Sequence, residues 1–548
     1  MRYHRLSAED FVIAGLRRCT RRRAGADWLE SSSASASLTD SMRFFPNPTL
    51  RRCLLLCLPA LIIGAALRIS VLVALPEAYY GSDSNSYFKT TAALWIEGKL
   101  DFPAKRRWIY PLMLVPMPLL PGRTLQIIAV TQHALGLATV FGIGWIVLHL
   151  TARPEVWVPL VTTLAAIWPR MLWHEHEVIA EVLLLATVVL AAALAFPVGA
   201  LRDRQRLFWF LIATTAIVAV KPHGKPIWLG LMLAATLIAG APWHWGKKNL
   251  IAAAASVVVM LSGGSSSQGA WLLLSSTLPL VKTEGEKWAE YRQILRPHIE
   301  ASRADLSQYP WAQARYKKLL SRGKDGLGDD WAKLFANSEK FSHVARDLAF
   351  EGIRNAPLDF ARLTVLKIAK TLADDDAGAR LVPEKFWEQQ EVNNEKRWRD
   401  RPAEMKLIYE LDRAGYDALV AERQERHVWY EPYLLRFTQT FLWAKEIDRE
   451  VNWVRPAWLG VLAFFGFLTC FLHSRFKATS PLWLPLLLYM GIIFAIGDGV
   501  SRYLQPIEWM GMIFIALGVD WLLQLFASGR REPAEIAPEA PPAEPHLS

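Results

Sequence analysis

Apolar and polar positions fall along this chain in long blocks. A membrane-crossing helix needs about 20 mostly apolar residues. Ten stretches approach that length: 53–76, 125–150, 155–169, 178–199, 207–220, 227–241, 249–264, 453–473, 481–497 and 506–527. Several are short for a span, which predicts tilted helices. The stretch "WIYPLMLVPMPLLPG" is apolar but broken by prolines, and it reads as a re-entrant or interfacial segment. Between 265 and 452 the pattern changes, with charged and aromatic residues mixing at helical spacing. In "FSHVARDLAFEGIRNAPLDFARLTVLKIAKTL", Val344, Leu348, Ile353 and Leu358, then Phe360, Leu363 and Leu366, predict two amphipathic helices broken at Pro357. No strand-like alternation, hairpin signal or internal repeat stands out.

The predicted fold is therefore all-α: a polytopic membrane helical bundle of about ten spans, or up to 13 if helices lie within 265–300 or 430–450. An even number of spans puts both termini on one side. The connections "TARPE", "LRDRQR", "HWGKKN", "HSRFKA" and "SGRRE" would share that side, and every one carries Arg or Lys. By the positive-inside rule that side is the cytoplasm. The organisation expected is a disordered basic N-terminus (1–50), a transmembrane bundle (51–264) with a first outer loop at 77–124, an extracytoplasmic helical region (265–452), C-terminal transmembrane helices (453–527) and a disordered tail (528–548).

Composition agrees. Of 548 residues 52% are hydrophobic, yet 21% are charged and the mean hydropathy is only +0.17, as suits a membrane protein with a large water-exposed part. The net charge of +11 lies in short clusters, which fits a membrane surface or anionic lipid, and no nucleic-acid motif accompanies it. Cys19, Cys53, Cys57 and Cys470 form no CxxC and imply neither a disulfide framework nor a cysteine zinc site. Residues 1–41 end in the low-complexity run "SSSASASLTDS", and Met42 opens "MRFFPNPTLRRC", a lead into a membrane anchor that would also serve as a start. The apolar stretch that follows is too long for a signal-peptide core and lacks an A-x-A site, so it is expected to stay. A basic, Ala/Leu/Arg-rich chain of this kind points to a bacterial inner membrane.

Candidate chemistry collects on the predicted outer face. In "YYGSDSNSYFKTTAALWIEGKL", the plain reading of Asp83 is a helix cap made by Ser82, Asp83 or Ser84. The functional reading is a carboxylate held ionised at a helix N-terminus and able to take a proton from a hydroxyl. "KRRWIYP", with Arg106, Arg107 and Tyr110, reads either as snorkelling cations or as a phosphate site. "WPRMLWHEHEVIAEVLLL" holds His174, Glu175, His176, Glu177 and Glu181, and on one helix His174, Glu177 and Glu181 would share a face. It is not HExxH, so His174, Glu175, His176 and Glu177 are metal candidates without a recognised ligand spacing. Glu181 and Arg68 are costly within spans unless each neutralises an opposite charge. "VKPHGKP" places Lys221, His223 and Lys225 at an outer helix end, and "GDGVSRYLQP" places Asp498, Arg502 and Tyr503 before the last span. Either alone is an ordinary loop; together they gather acids and cations on one face, as an anionic lipid-linked substrate requires.

The chain resembles the GT-C superfamily of integral-membrane glycosyltransferases, in particular bacterial relatives of protein O-mannosyltransferases and the lipid A aminoarabinose transferase. The similarity spans roughly 53–527 and is thin through 285–450. The family's first outer loop reads approximately D-x-x-x-Y-x-x-x-A-x-x-L-x-x-G, here Asp83, Tyr87, Thr91, Ala92, Leu94 and Gly98, followed by "RRWIYP" with Trp108 and Ile109 in place of the usual core. Gln132 and Gly136 fit the start of the next span. Pro169 precedes "AEVL" at Glu181, with Ala180 replacing a serine, and Arg502, Tyr503 and Pro506 match R-Y-x-x-P. "AFEGIRNAPLDFARLTVLKI" resembles a further family segment.

The resemblance implies inverting transfer of a sugar from a polyprenyl-phosphate donor to a hydroxyl acceptor, which is a lipid, a glycan or a protein. Asp83 is then the base, Arg502 the first phosphate ligand with Lys221, Lys225 and Arg106 or Arg107 behind it, and Glu181 an orienting acid. Tyr87, Tyr110, His223 and Tyr503 complete the expected binding set. Some members use a divalent metal and others do not, so metal use stays open. The alternatives are a lipid-linked glycan ligase or polymerase, expected to carry a different Arg-rich loop, and a flippase for a lipid-linked sugar, expected to show inverted repeats and mid-membrane broken helices. An inactive scaffold of the same type is a third.

Overall fold

The computed structural model describes residues 47–103, 106–262, 267–308, 330–373, 380–433, 454–472, 475–496 and 504–528. The chain divides into Met1–Arg51, of which residues 47–51 are described, and Arg52–Ser548. The expectations for residues 1–46 and for the tail beyond 528 lie outside the described residues. Among those described the protein is all-α, with one isolated parallel bridge between Tyr79 and Glu177.

Helix α1 (Pro48–Ala74) leads to α2 (Ser82–Glu97), the short α3 (Ile109–Leu114) and α4 (Thr124–Leu150). The segment "WIYPLMLVPMPLLPG" is indeed broken, α3 giving way to a 3₁₀ turn at Met117–Leu119. Prolines in their first turns open α5 (Pro154–Ile167) and α6 (Pro169–Glu175), which meet at a bend of 53°. Next come α7 (Glu181–Leu194), α8 (Arg204–Val220), α9 (Lys225–Ala239) and α10 (Lys247–Leu261). Asp203 caps α8 by accepting from the Arg206 N–H at 2.8 Å. Helices α11 (Ser267–Thr277), α12 (Ala289–Gln308), α13 (Asp330–Phe335), α14 (Ser338–Asn355) and α15 (Pro357–Ala373) follow. Then come α16 (Pro383–Asp400), α17 (Pro402–Tyr409) and α18 (Arg413–Gln424), before α19 (Val454–Thr469), α20 (Phe476–Ile496) and α21 (Gln505–Ser528).

Four of these, α1, α4, α20 and α21, are long and apolar enough to cross a membrane, and the bent pair α5–α6 makes five if counted as one span. At the other six expected positions, 155–169 included, the helices run 14 to 17 residues. At about 1.5 Å per residue these fall short of a hydrocarbon core of about 30 Å. Among the described residues, helix length and composition by themselves thus support four or five spans.

Helix α4 packs against α5 and α7, α9 against α20, and α19 against α21. A Cβ on Gly230 would overlap the Pro485 backbone, so α9 and α20 meet with their backbones in contact, as small residues permit. The expected region 265–452 resolves into two parts. Helices α11, α12 and α14 build a core of their own around Leu274, Leu295, Phe341 and Leu348. Residues 380–433 instead share the core of the bundle through Phe386, Trp387, Tyr409 and Tyr416. The helix break at Pro357 falls as predicted, between α14 and α15, with Val344, Leu348 and Leu363 buried. Leu358 departs from the prediction: it is 84% exposed.

Candidate active site

Helix α2 begins at Gly81, whose N–H donates to Ser84 Oγ at 2.9 Å. The cap is therefore shared by Gly81 and Ser84, and Asp83 sits in the first turn without that duty. Its carboxylate pairs with Arg106 instead, Nη2 to Oδ1 at 2.8 Å. Arg106 is fully engaged: Nε donates to Ser86 Oγ at 2.6 Å, Nη1 to the Tyr87 hydroxyl at 3.2 Å, and the guanidinium lies 4.2 Å from the Tyr87 ring centroid.

Tyr87 meets Tyr110 edge to face at 5.1 Å, and the Tyr110 hydroxyl donates to Gln132 Oε1 at 2.7 Å. Gln132 Nε2 in turn donates to the carbonyls of Glu175 and Glu177 at 3.0 and 2.8 Å. Burial first, then Tyr87, Glu181 and Glu177, hold the Tyr110 phenol well above its usual range. Tyr79 is tied across to this strand-like turn, its N–H donating to the His176 carbonyl at 2.7 Å and its own carbonyl accepting from Val178 at 2.9 Å. The bridge brings the Glu177 carboxylate against the start of α2, where a Cβ on Gly81 would stand 3.5 Å from Oε1. Asp83 and Glu177 thus flank one helix N-terminus.

The predicted common face of His174, Glu177 and Glu181 is not formed, because α6 ends at Glu175 and α7 begins at Glu181. His174 Nδ1 still lies 3.4 Å from Glu177 Oε2. Glu175 and His176 turn the other way, into the bundle. Arg68 holds Glu175 bidentately, Nε and Nη2 at 2.7 and 2.6 Å, while His133 Nδ1 lies 2.9 Å from Glu175 Oε2 and His133 Nε2 lies 3.1 Å from His176 Nδ1. A Cβ on Gly136 would overlap the Glu175 carboxylate, so glycine is what lets α4 approach it. Among the described residues no group of three or more His, Cys, Asp or Glu is placed to hold a metal ion.

The cations divide by partner. Lys221 pairs with Glu181, both buried, and so Arg68 and Glu181 are each neutralised, though not by one another. Arg170 Nη1 lies 3.1 Å from Glu508 Oε1 on α21. Arg107 donates to the Ser262 carbonyl, and Lys225, at the residue that opens α9, lies within electrostatic range of it. Burial first and Arg107 second pull the Lys225 ammonium below its usual range, and burial does the same to the Arg107 guanidinium. Among the described residues no carboxylate is paired with Arg107 or Lys225. His223 sits half-buried in the 3₁₀ turn Pro222–Gly224 between Lys221 and Lys225. Asp498, Arg502 and Tyr503 lie outside the described residues.

Helices from 380–433 grip the chain just ahead of Asp83. Arg397 donates to the carbonyls of Tyr80 and Gly81 at 3.0 and 2.8 Å and stacks on the Tyr80 ring at 4.9 Å. Gln390 Oε1 accepts from the Tyr80 N–H at 3.0 Å, Glu404 Oε1 accepts from the Tyr80 hydroxyl at 3.1 Å, and Arg401 reaches Asn85 Oδ1 at 3.2 Å. Glu77, fully buried, is paired with both Arg123 and Arg423. None of these partners has a local signal in the sequence. His133 does have one, as an imidazole within an apolar run.

No family model matches the chain, and no curated protein matches it.

Proposed function

We propose that this protein is a membrane-embedded inverting glycosyltransferase of GT-C type, in which the shorter helices join the four long ones in a bundle of about ten spans. It moves a sugar from a polyprenyl-phosphate donor to a hydroxyl acceptor at the outer face of what is, on composition, a bacterial inner membrane. The observation that carries this reading is the contrast between two consecutive arginines. Arg106 is taken up by Asp83, whereas Arg107 faces no described carboxylate and lies near a second such cation, Lys225.

The chemistry follows from that division. The acceptor oxygen attacks the anomeric carbon from the side opposite the lipid phosphate, and the bond from that carbon to the phosphate oxygen breaks. The acceptor proton passes to the Asp83 carboxylate, oriented by Arg106, or to Glu177 beside it. The departing electron pair remains on the phosphate, where Arg107 and Lys225 stabilise the added charge. Glu181 and Lys221 neutralise one another and enter as a positioning pair beside Tyr110. A phosphate role for Arg502 rests on the R-Y-x-x-P resemblance.

Membranes carrying the wild type or Asp83→Asn, supplied with radiolabelled polyprenyl-phosphate sugars and a lipid and glycan extract, test the reading. Label leaving the carrier only with the wild type is the expected result. Label that crosses the bilayer while still on its carrier would establish a flippase instead, and transfer of an intact oligosaccharide would establish a ligase.

A further inference from the structure

Helix α15 buries Leu363 as the amphipathic pattern predicts, but it also buries Lys367 and turns Leu358 outward. Leu363 and Lys367 are buried, while Leu358, Ala361, Arg362 and Val365 are exposed, Leu358 at 84% and Val365 at 63%. At about 100° per residue, those two sets lie on opposite sides of the helix. Leu358 is the most exposed large hydrophobic side chain among the described residues. A surface helix in water would turn that stripe inward and place its lysine outside. Here Lys367 goes in and Leu358 comes out.

The inward side explains where α15 is held. Lys367 Nζ donates to the Phe494 carbonyl at 3.2 Å, two residues before α20 ends at Ile496. A helix C-terminus carries unsatisfied carbonyls and partial negative charge, so a buried ammonium is well placed there. Helix α20 is one of the four helices long and apolar enough to cross a membrane, and its own Ile492 is exposed near the same end, with Leu487 exposed at mid-helix. The exposed stripe of α15 is thereby fixed beside the end of a spanning helix whose exposed large side chain there, Ile492, is also apolar.

We infer that α15 is an in-plane membrane helix: Leu358, Ala361 and Val365 enter the acyl boundary of the leaflet at the C-terminal end of α20, and Arg362 reaches back to lipid phosphates. An interfacial helix needs an apolar stripe on one side and cations able to snorkel, and a bilayer removes the stripe from water at roughly 25 cal/mol per Å². The occupant of this surface is lipid, because the stripe continues the exposed apolar surface of a span. The surface is separate from the proposed transfer chemistry and does not depend on it.

Single substitutions Leu358→Cys and Val365→Cys, each spin-labelled in full-length protein in vesicles of phosphatidylethanolamine and phosphatidylglycerol, test it. Asp359→Cys provides a comparison on the same turn, and unsubstituted protein corrects for label on native cysteines. Labels at 358 and 365 are expected to collide several-fold more with oxygen than with a water-soluble nickel chelate, relative to the label at 359. Ready access to the chelate at 358 and 365 would put the stripe in water and overturn the inference. Protection from both relaxants would mean that a second copy or another protein covers it, and would overturn it equally.

Discussion

Arg106 Nη2 stands 2.8 Å from Asp83 Oδ1 in a guanidinium that also holds Ser86 and Tyr87. The pair fixes the direction of the carboxylate on the first turn of α2. Replacing Asp83 by Asn keeps the shape and removes the proton acceptor, so transfer is expected to fall by about 10²–10⁴-fold, the usual contribution of a positioned base. Donor binding should be nearly unchanged. Arg106→Lys keeps the charge but loses the fork, and should lower the turnover rate more than it raises the donor KM. Single-turnover assays with a donor titration separate the two; loss of donor affinity in Asp83→Asn would move that residue into the donor site.

Arg107 and Lys225 make the opposite prediction. Neither is spent on a described carboxylate, so truncation of either leaves no buried acid stranded. A hydrogen bond to a charged group contributes about 1.5–3 kcal/mol, so each alanine variant should weaken donor binding by roughly 10–100-fold. Lys221→Ala differs, since it takes a buried ion-pair partner from the buried Glu181 and should lower thermal stability as well. Unchanged donor affinity in both Arg107→Ala and Lys225→Ala would leave the phosphate without these ligands.

Arg397 sets the start of α2 from more than 300 residues away, by binding the carbonyls of Tyr80 and Gly81. Arg397→Ala is expected to raise amide hydrogen exchange across residues 81–86 and to reduce turnover, with partial recovery in Arg397→Lys. Exchange unchanged from wild type would mean that Gln390 and Glu404 hold the turn by themselves.

What the sequence disclosed, and what it hid, divides along physical lines. Long apolar runs predicted α1, α4, α20 and α21, because a continuous apolar helix needs no knowledge of its neighbours. Pro357 marked the break between α14 and α15 for a similarly local reason. Pairing is different. Adjacent Arg106 and Arg107 are identical in one dimension, and only the tertiary position of Ser86, Tyr87 and Ser262 separates their roles. Leu358 continues the spacing of Val344, Leu348 and Ile353 in one dimension, but the break at Pro357 places it on α15, turned away from the buried Leu363. The grip of α16 on Tyr80 and Gly81 arises wholly from folding.

His176 gives a pH dependence. It is fully buried beside His133, and its ring also meets Phe386. Burial first, then His133, hold its imidazole well below the ordinary value of 6.5, with the Glu77 carbonyl opposing. Through His133 it is also linked to Glu175 and Arg68. The unfolded chain takes up a proton as pH falls through 6.5, whereas the folded chain does not until lower pH. The stabilisation due to neutral His176 is therefore complete above that value and is lost as pH falls below it. Thermal unfolding in detergent should show an acid limb beginning near pH 6.5 that is flattened in His176→Gln. An unchanged limb would assign acid sensitivity to other groups.

Arg68 and Glu175 provide the sharpest stability test, because both are almost wholly buried and held by two hydrogen bonds. Removing one partner strands the other: Arg68→Ala should cost about 3–5 kcal/mol, the usual penalty for breaking a buried pair from one side. Arg68→Met combined with Glu175→Gln removes both charges and should recover much of that loss. Gly136→Ala tests the same pair sterically, since its Cβ would overlap the Glu175 carboxylate and force it away from Arg68 and His133. It is therefore expected to destabilise the wild type more than it destabilises Glu175→Ala, where the overlap is gone. Equal losses in the two backgrounds would mean that α4 yields at Gly136, and that the pair does not set the spacing of the helices around it.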